Sequence, residues 1–364
     1  KMDVLFDYQI FCSQYIGGIS RYFYELLKHL PDEKVKVKFP LAFSNNYYLK
    51  KRDVSSHFAL LPHLNLKIRN KTMQSINEYC VNRVLKSQQF DLFHPTYYQT
   101  YYLDNGLLKS KPLVLTVHDM THERFMKGDE IILAKKKLMR RADRIIAISQ
   151  HTKKDILKYI NVPEERISVV YHGQDSTVTH NISRPRNIPG TDYILYVGSR
   201  NGYKNFEILA RAFSQLVEKN RFLNLICTGE AFTKDEYALF DQLKIKEFVY
   251  AQMVTDEELR WLYKNALLFV FPSLYEGFGF PILEAFSMAC PVVLSNASCF
   301  PEIAGNAAAY FDPMDVDSIV QSIESVVEDE EKRKVLVQLG TERLSLFTWN
   351  NTARETANVY KALI

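Results

Sequence analysis

The sequence predicts an α/β protein built as two doubly wound, Rossmann-like parallel-sheet domains. Short apolar runs alternate with helical patterns almost throughout, which is how a parallel sheet with covering helices is written. A polar stretch, Asn181 to Gly190 with Pro185 and Pro189, interrupts that alternation once and serves as the linker. The charge changes sign across it: residues 1–180 carry 28 basic and 18 acidic side chains (+10), the remainder 18 and 24 (−6). At 364 residues the chain can bury two separate cores. The expected division is 1–184, 185–346 and a last helix over 347–364.

In the first half, apolar runs predict strands near 3–7, 35–43, 90–94, 112–118, 143–148 and 167–171. Helical spacing falls near 18–30, 71–88, 129–142 and 150–160. The second half opens on the strand Tyr193 to Val197 and continues with a helix over 203–219 and a strand over 222–227. Helices over 233–244, 255–264 and 280–289 then alternate with strands over 248–251, 266–271 and 291–295. Helices near 315–328, 330–346 and 349–363 close the chain. In such a fold the loops after the strands form the site, so the cleft between the two halves is the expected place for a ligand.

Composition narrows the class. A chain 47% hydrophobic and 24% charged is ordinary for a globular protein, and no apolar run approaches the ~20 residues that span a bilayer. No secretory leader pattern precedes Asp3, and the five cysteines include no C-x-x-C pair, which fits a reduced, cytoplasmic protein. Basic clusters at Lys50-Lys51-Arg52, Lys67 to Lys71 and Lys135 to Arg141 suit either an anionic membrane surface or plain solvated helix faces. They lack interleaved aromatics and any nucleic-acid-binding motif, so nucleic acid is not the expected partner.

The most informative motif is Tyr275-Glu276-Gly277-Phe278-Gly279-Phe280-Pro281-Ile282-Leu283-Glu284, whose two glutamates stand eight residues apart. The buried strand 266–271 precedes it, and Pro281 marks a helix start. A glycine-rich loop entering a helix N-terminus at a strand end accommodates anions, and two carboxylates beside it can accept hydrogen bonds from vicinal hydroxyls. A phosphate flanked by a sugar and a ribose meets that description. Gly198-Ser199-Arg200-Asn201-Gly202-Tyr203-Lys204 follows the first strand of the second half, and its two cations suit either a diphosphate or an ordinary cationic turn. Gly17-Gly18 ends the first loop of the chain, either as a phosphate approach or as an ordinary turn. His118-Asp119 and His172-Gly173 end first-half strands, where a histidine can meet a ligand or cap a loop. Asp315-Val316-Asp317 has the D-x-D form of some metal-binding sugar-nucleotide enzymes but sits where a helix N-cap is expected, so no metal site is inferred.

Taken together these residues resemble the family 4 retaining glycosyltransferases of GT-B fold, of the type that builds bacterial surface polysaccharides. The likeness runs through Gly17-Gly18-Ile19, Thr116-Val117-His118-Asp119, Ala142 to Ser149, Tyr196-Val197-Gly198, Val254 to Leu259, the Glu276 to Glu284 motif, and the closing Phe347-Thr348-Trp349 to Tyr360. The resemblance implies two domains facing across a cleft, with the last helix returning to the first. It implies that Glu284 holds the ribose and Glu276 the sugar, with Gly277, Phe278, Gly279 and Phe280 bringing backbone near sugar or phosphate. Arg200 and Lys204 would neutralise the diphosphate, Gly17 and Gly18 would contact it, Gly198 would belong to the donor-binding set, and His118 would lie at the sugar. Met253 and Val254 would flank the base. Arg200 and Lys204 stand one residue closer than is usual in the family, and Gln252 replaces a common glycine.

The implied activity is transfer of a hexose (mannose, glucose, galactose or rhamnose type) from a nucleotide diphosphate sugar, without cofactor or metal. The acceptor would be a saccharide or lipid-linked saccharide, docked mainly on the basic first half, where Tyr97, Tyr98, Tyr101 and Tyr102 either stack on its sugar rings or form a loop of partly buried tyrosines. The alternatives on the same fold are a sugar-nucleotide epimerase, a phosphorylase, and a non-catalytic sugar-nucleotide-binding partner.

Overall fold

The computed structural model describes residues 2–59, 66–104, 106–108, 110–126, 128–174, 181–189 and 192–364, with side chains of 66–69 excluded. Gly190 of the expected linker, and the Lys67 and Arg69 side chains of one basic cluster, thus lie outside the described residues. The chain forms two compact units: Lys1–Gly173 with Trp349–Ile364, and Gln174–Thr348.

Among the described residues the first unit carries six parallel strands: β1 (Met2–Phe6), β2 (Val35–Lys38), β3 (Leu92–His94), β4 (Val114–Val117), β5 (Arg144–Ala147) and β6 (Ile167–Val169). Ladders β2-β1-β3 and β4-β5-β6 are joined by a bridge from Phe93 to Leu113, giving the spatial order 2-1-3-4-5-6. Strands β3 and β4 are buried along their whole length, as a sheet covered on both faces requires. β2 stops at Lys38, short of the expected 43, because Pro40 cannot donate to a ladder and Leu41 N–H folds back onto the Phe39 carbonyl.

The second unit contains β7 (Tyr193–Val197), β8 (Asn224–Thr228), β9 (Val249–Gln252), β10 (Leu268–Phe271), β11 (Val292–Ser295) and β12 (Ala309–Phe311). Their order is β12-β11-β10-β7-β8-β9, all parallel. The direction of winding therefore reverses between β7 and β10, which makes their C-terminal ends a topological switch point. The loops that leave those ends carry Lys204 and Glu276.

The unit boundary falls at Gly173, ahead of the expected 184, because the proline-bearing stretch packs on the second unit. Ser183 N–H donates to the Glu257 carbonyl, Arg184 lies 5.5 Å over the Trp261 ring, and Pro185 is buried. The second break falls after Thr348, since Phe347 packs edge-on against Phe278. The helix Trp349–Lys361 then joins the first unit, burying Trp349, Ala353, Ala357 and Tyr360. Thr352 Oγ1 donates to the Tyr171 carbonyl at 2.8 Å, and the Tyr360 hydroxyl is hydrogen-bonded to His94 Nδ1 at 2.6 Å.

Glycine sets one helix contact in the second unit. A Cβ on Gly340 would stand 2.6 Å from Cδ1 of Phe286, so the helix Glu330–Leu344 lies against the helix Phe280–Ser287 at a distance only glycine permits. That contact fixes where Glu284 is held. All five cysteines are free, and among the described residues no helix is long and apolar enough to cross a membrane.

Candidate active site

Two loops meet at the switch point of the second unit. After β7, Gly198 (φ +125°) turns the chain, Gly202–Lys204 forms one 3-10 turn, and Asn205 adopts a left-handed conformation (φ +59°) to start the helix Phe206–Lys219. This short turn is why the expected helix at 203 begins at 206. Asn205 tolerates the left-handed region and its Nδ2 donates to the carbonyls of Pro272 (3.2 Å) and Pro313 (2.7 Å). Leu274 N–H donates to the Tyr203 carbonyl at 2.8 Å, so the β7 and β10 loops are tied by backbone as well.

Lys204 and Glu276 close this junction. Nζ lies 2.5 Å from Glu276 Oε1, with side chains 17% and 15% exposed, and the ammonium rests over the rings of Tyr203 and Phe271. Glu276 is held through its backbone: its N–H donates to Ser298 Oγ (3.0 Å) and its carbonyl accepts from that same hydroxyl (2.7 Å). Cys299 Sγ donates to the carbonyls of Glu276 and Phe278, which pins the glycine-rich loop from below. Gly279 (φ +91°) then turns the chain into the helix Phe280–Ser287, whose second residue is Pro281. A side chain on Gly279 would also press on Ile282 and Phe300, at 3.1 and 3.3 Å. Glu284, one turn into the helix, accepts from the Tyr263 hydroxyl at 3.3 Å.

Arg200 is engaged elsewhere. Nε lies 2.6 Å from Glu236 Oε1, and a terminal nitrogen donates to the carbonyls of Glu230 and Ala231. The guanidinium lies 4.7 Å from the Phe232 ring centroid, and the side chain is 7% exposed. Glu236 is also the third residue of a capping box with Thr233, so one carboxylate serves both a helix start and Arg200. The structure brings Lys204 to Glu276 and leaves Arg200 facing Glu236. Gly277 and Phe278 are buried within the loop and Phe280 is half-buried; Met253 is exposed and Val254 half-buried, just beyond β9. Asp315 caps the helix Val316–Val327 by accepting from Asp317 N–H, as the sequence suggests. Among the described residues no three histidine, cysteine or acidic side chains gather as a metal site.

In the first unit, Gly17 and Gly18 open the helix Gly18–His29. The Gln14 side chain covers that end: its Oε1 accepts from Ser20 N–H, and a Cβ on Gly17 would lie 2.7 Å from it. His118, at the end of β4, is buried, and burial pushes its pKa down to about 3 even though Asp119 acts in the opposite direction. Its N–H donates to the Tyr98 hydroxyl, and its ring stacks on His172 and meets Tyr22 edge-on. Its Nε2 has no hydrogen-bond partner among the described residues. Tyr102 and Tyr98 are buried; Tyr97 and Tyr101 are partly so.

Sequence reasoning did not reach Ser298, Cys299, Tyr263 or Asn205, all of which hold the site. Only Asn205, directly before an apolar helix and after a glycine-bearing turn, carries a local signal.

Two family models match the chain in succession: Glycosyltransferase Family 4 over residues 16–178 and Glycosyl transferases group 1 over 179–343. The O-antigen chain mannosyltransferase B of Escherichia coli is 31% identical over 280 residues, covering 72% of this chain and 73% of that protein. The chain belongs to the family 4 glycosyltransferases of GT-B fold. This glycosyltransferase is also 28% identical to the serotype-specific mannosyltransferase WbdA of Escherichia coli over 69% of its own length but only 33% of that protein's. Among solved structures, Anabaena HepE in complex with UDP and glucose superposes with a TM-score of 0.75 at 18% identity, over the whole of both chains. That likeness is one of fold.

Proposed function

We propose that this glycosyltransferase moves a hexosyl group, mannosyl first among the candidates, from a nucleoside diphosphate sugar to a saccharide or lipid-linked saccharide in bacterial surface-polysaccharide assembly. The mannosyltransferase relatives support the sugar and the setting. The observation that carries the site is the Lys204–Glu276 pair at the switch point of the second unit.

Cleaving the anomeric C–O bond builds negative charge on the departing diphosphate and positive charge on the sugar ring. Lys204 and the N-terminal end of the helix Phe280–Ser287 address the first. Glu276 accepts from sugar hydroxyls and Glu284 from the ribose, with Met253 and Val254 beside the base. Arg200 serves the diphosphate by exchanging Glu236 for phosphate oxygens. The family resemblance assigns Gly17 and Gly18 to the diphosphate and His118, as a neutral hydrogen-bonding partner, to the sugar. Transfer proceeds with retention: the acceptor oxygen bonds to the anomeric carbon on the face from which the diphosphate leaves, and its proton passes to a departing phosphate oxygen. Fixed cations supply the charge stabilisation, so no metal takes part.

The test is turnover of GDP-mannose, UDP-glucose and UDP-galactose on an α-mannoside acceptor, with product linkage read by NMR. One donor is expected to give an α linkage at a rate unchanged by EDTA. A β linkage or loss of rate with EDTA contradicts the mechanism, and release of sugar without acceptor-dependent product contradicts the transfer. The excess positive charge of residues 1–180 supports docking on an anionic membrane face; absence of binding to phosphatidylglycerol vesicles at low salt removes that part.

A further inference from the structure

A fully buried ion pair lies behind His118. Lys135 is 0% exposed and the Glu123 side chain 2%; Nζ lies 2.9 Å from Glu123 Oε2 and donates to the Asp119 carbonyl at 2.8 Å. The same ammonium sits 5.2 Å over the ring of Tyr98, whose hydroxyl receives His118 N–H. Asp119 is further fixed by its own carboxylate, which accepts from Thr121 N–H. One cation thus joins the helix Glu130–Arg141, the short helix Thr121–Phe125 and the Asp119–Met120 peptide, one residue beyond His118.

Stability alone is a poor reason for this pair. Burying two charges costs several kcal/mol each, and an apolar pair of similar volume often serves as well or better. Glu123 Oε1 is moreover buried without a hydrogen-bond partner among the described residues, so the pair is not even fully satisfied. Directional anchoring of one peptide is what the charges supply and apolar packing cannot. Near that peptide, His118 Nε2 is likewise buried without a hydrogen-bond partner among the described residues.

We propose that Lys135 and Glu123 are positioning residues for glycosyl transfer, fixing the Asp119 carbonyl so that the neighbouring His118 ring offers Nε2 to the sugar in one orientation. This rests on the assignment of His118 to the sugar. Neither residue touches the substrate; both act through His118.

The test is a cycle of variants assayed with whichever of GDP-mannose, UDP-glucose and UDP-galactose the wild type turns over. Lys135→Met with Glu123→Gln removes both charges at similar volume, which avoids stranding one of them. This double variant is expected to keep the donor KM within about twofold while kcat falls roughly 10- to 100-fold, the scale of an ångström-sized misplacement. Combined with His118→Asn it should add no loss beyond that of His118→Asn alone. Glu123→Gln by itself, the milder change, should show a smaller kcat loss with the same non-additivity, and serves if the double variant does not fold. Losses that multiply with His118→Asn, or variants with kcat within threefold of wild type, overturn the inference. Full turnover by His118→Asn instead removes the His118 assignment on which it rests.

Discussion

Lys204→Ala is expected to lower kcat by roughly 10²–10³-fold, the usual effect of deleting one preorganised charge-stabilising group from a transition state. The physical reason lies in where the ammonium is held. It is mostly buried, it rests on two aromatic rings, and it lies 2.5 Å from a carboxylate on the neighbouring loop. In the proposed mechanism a diphosphate competes for that cation, while Glu276 is freed to accept from sugar hydroxyls. Lys204→Arg should recover part of the rate, since charge is restored on a different geometry. Glu276→Gln, which keeps an acceptor oxygen but loses the charge, should fall between wild type and Glu276→Ala. The fold should survive each change, because the two loops stay tied by Asn205, Leu274, Ser298 and Cys299. Unchanged turnover in both Lys204→Ala and Glu276→Ala would place the chemistry elsewhere.

Acid should unfold the first unit well before carboxylate titration alone would. His94, His118 and His172 are all buried there, and burial is the leading cause that holds each pKa down, to about 3 for His94 and His118 and well below the usual value for His172. In the unfolded chain a histidine titrates near ~6.5. Their contribution is therefore complete above pH ~6.5 and is lost as pH falls from there toward the folded values. Asp7 acts in the opposite sense: burial raises its pKa to about 6, so the folded state gains relative stability as that carboxyl protonates. Three protons favour unfolding and one opposes it, a net slope of about 2.7 kcal/mol per pH unit between pH ~6 and ~4. Against a typical domain stability of about 5–15 kcal/mol, two units of acidification remove a large part of it. Denaturant unfolding between pH 7 and 4.5 measures this slope. His94→Gln should reduce it by about one proton, and stability flat over that range would contradict the burial of these rings as neutral groups.

Much of the fold was legible because parallel α/β chains write their elements as separated apolar runs. Tyr193–Val197 and Leu268–Phe271 are short runs of that kind, and both are strands that flank the site. Elements that escaped were too short to show a period, among them the helices Gln9–Ser13, Tyr101–Asp104, Thr121–Phe125 and Phe300–Ala304, and the edge strand β12. Within the site, the spacing of Glu276 and Glu284 was visible because both lie in one loop-to-helix segment. The partners of these residues were not. Ser298 and Cys299 reach Glu276 from a different strand end, and Glu236 reaches Arg200 from a helix thirty-six positions away. No local pattern encodes such meetings; sheet order does. Arg200 shows the consequence: its place at a strand end is legible in the sequence, while the capping-box glutamate that the fold sets beside it is not.

Calorimetric titration of the wild type and Lys204→Ala with UDP, GDP, ADP, CMP and dTDP tests the central claim most directly. One nucleoside diphosphate should bind the wild type without magnesium and bind Lys204→Ala at least tenfold more weakly. Binding that ignores Lys204, or no binding by any of the five, would contradict a donor site at the Lys204–Glu276 junction.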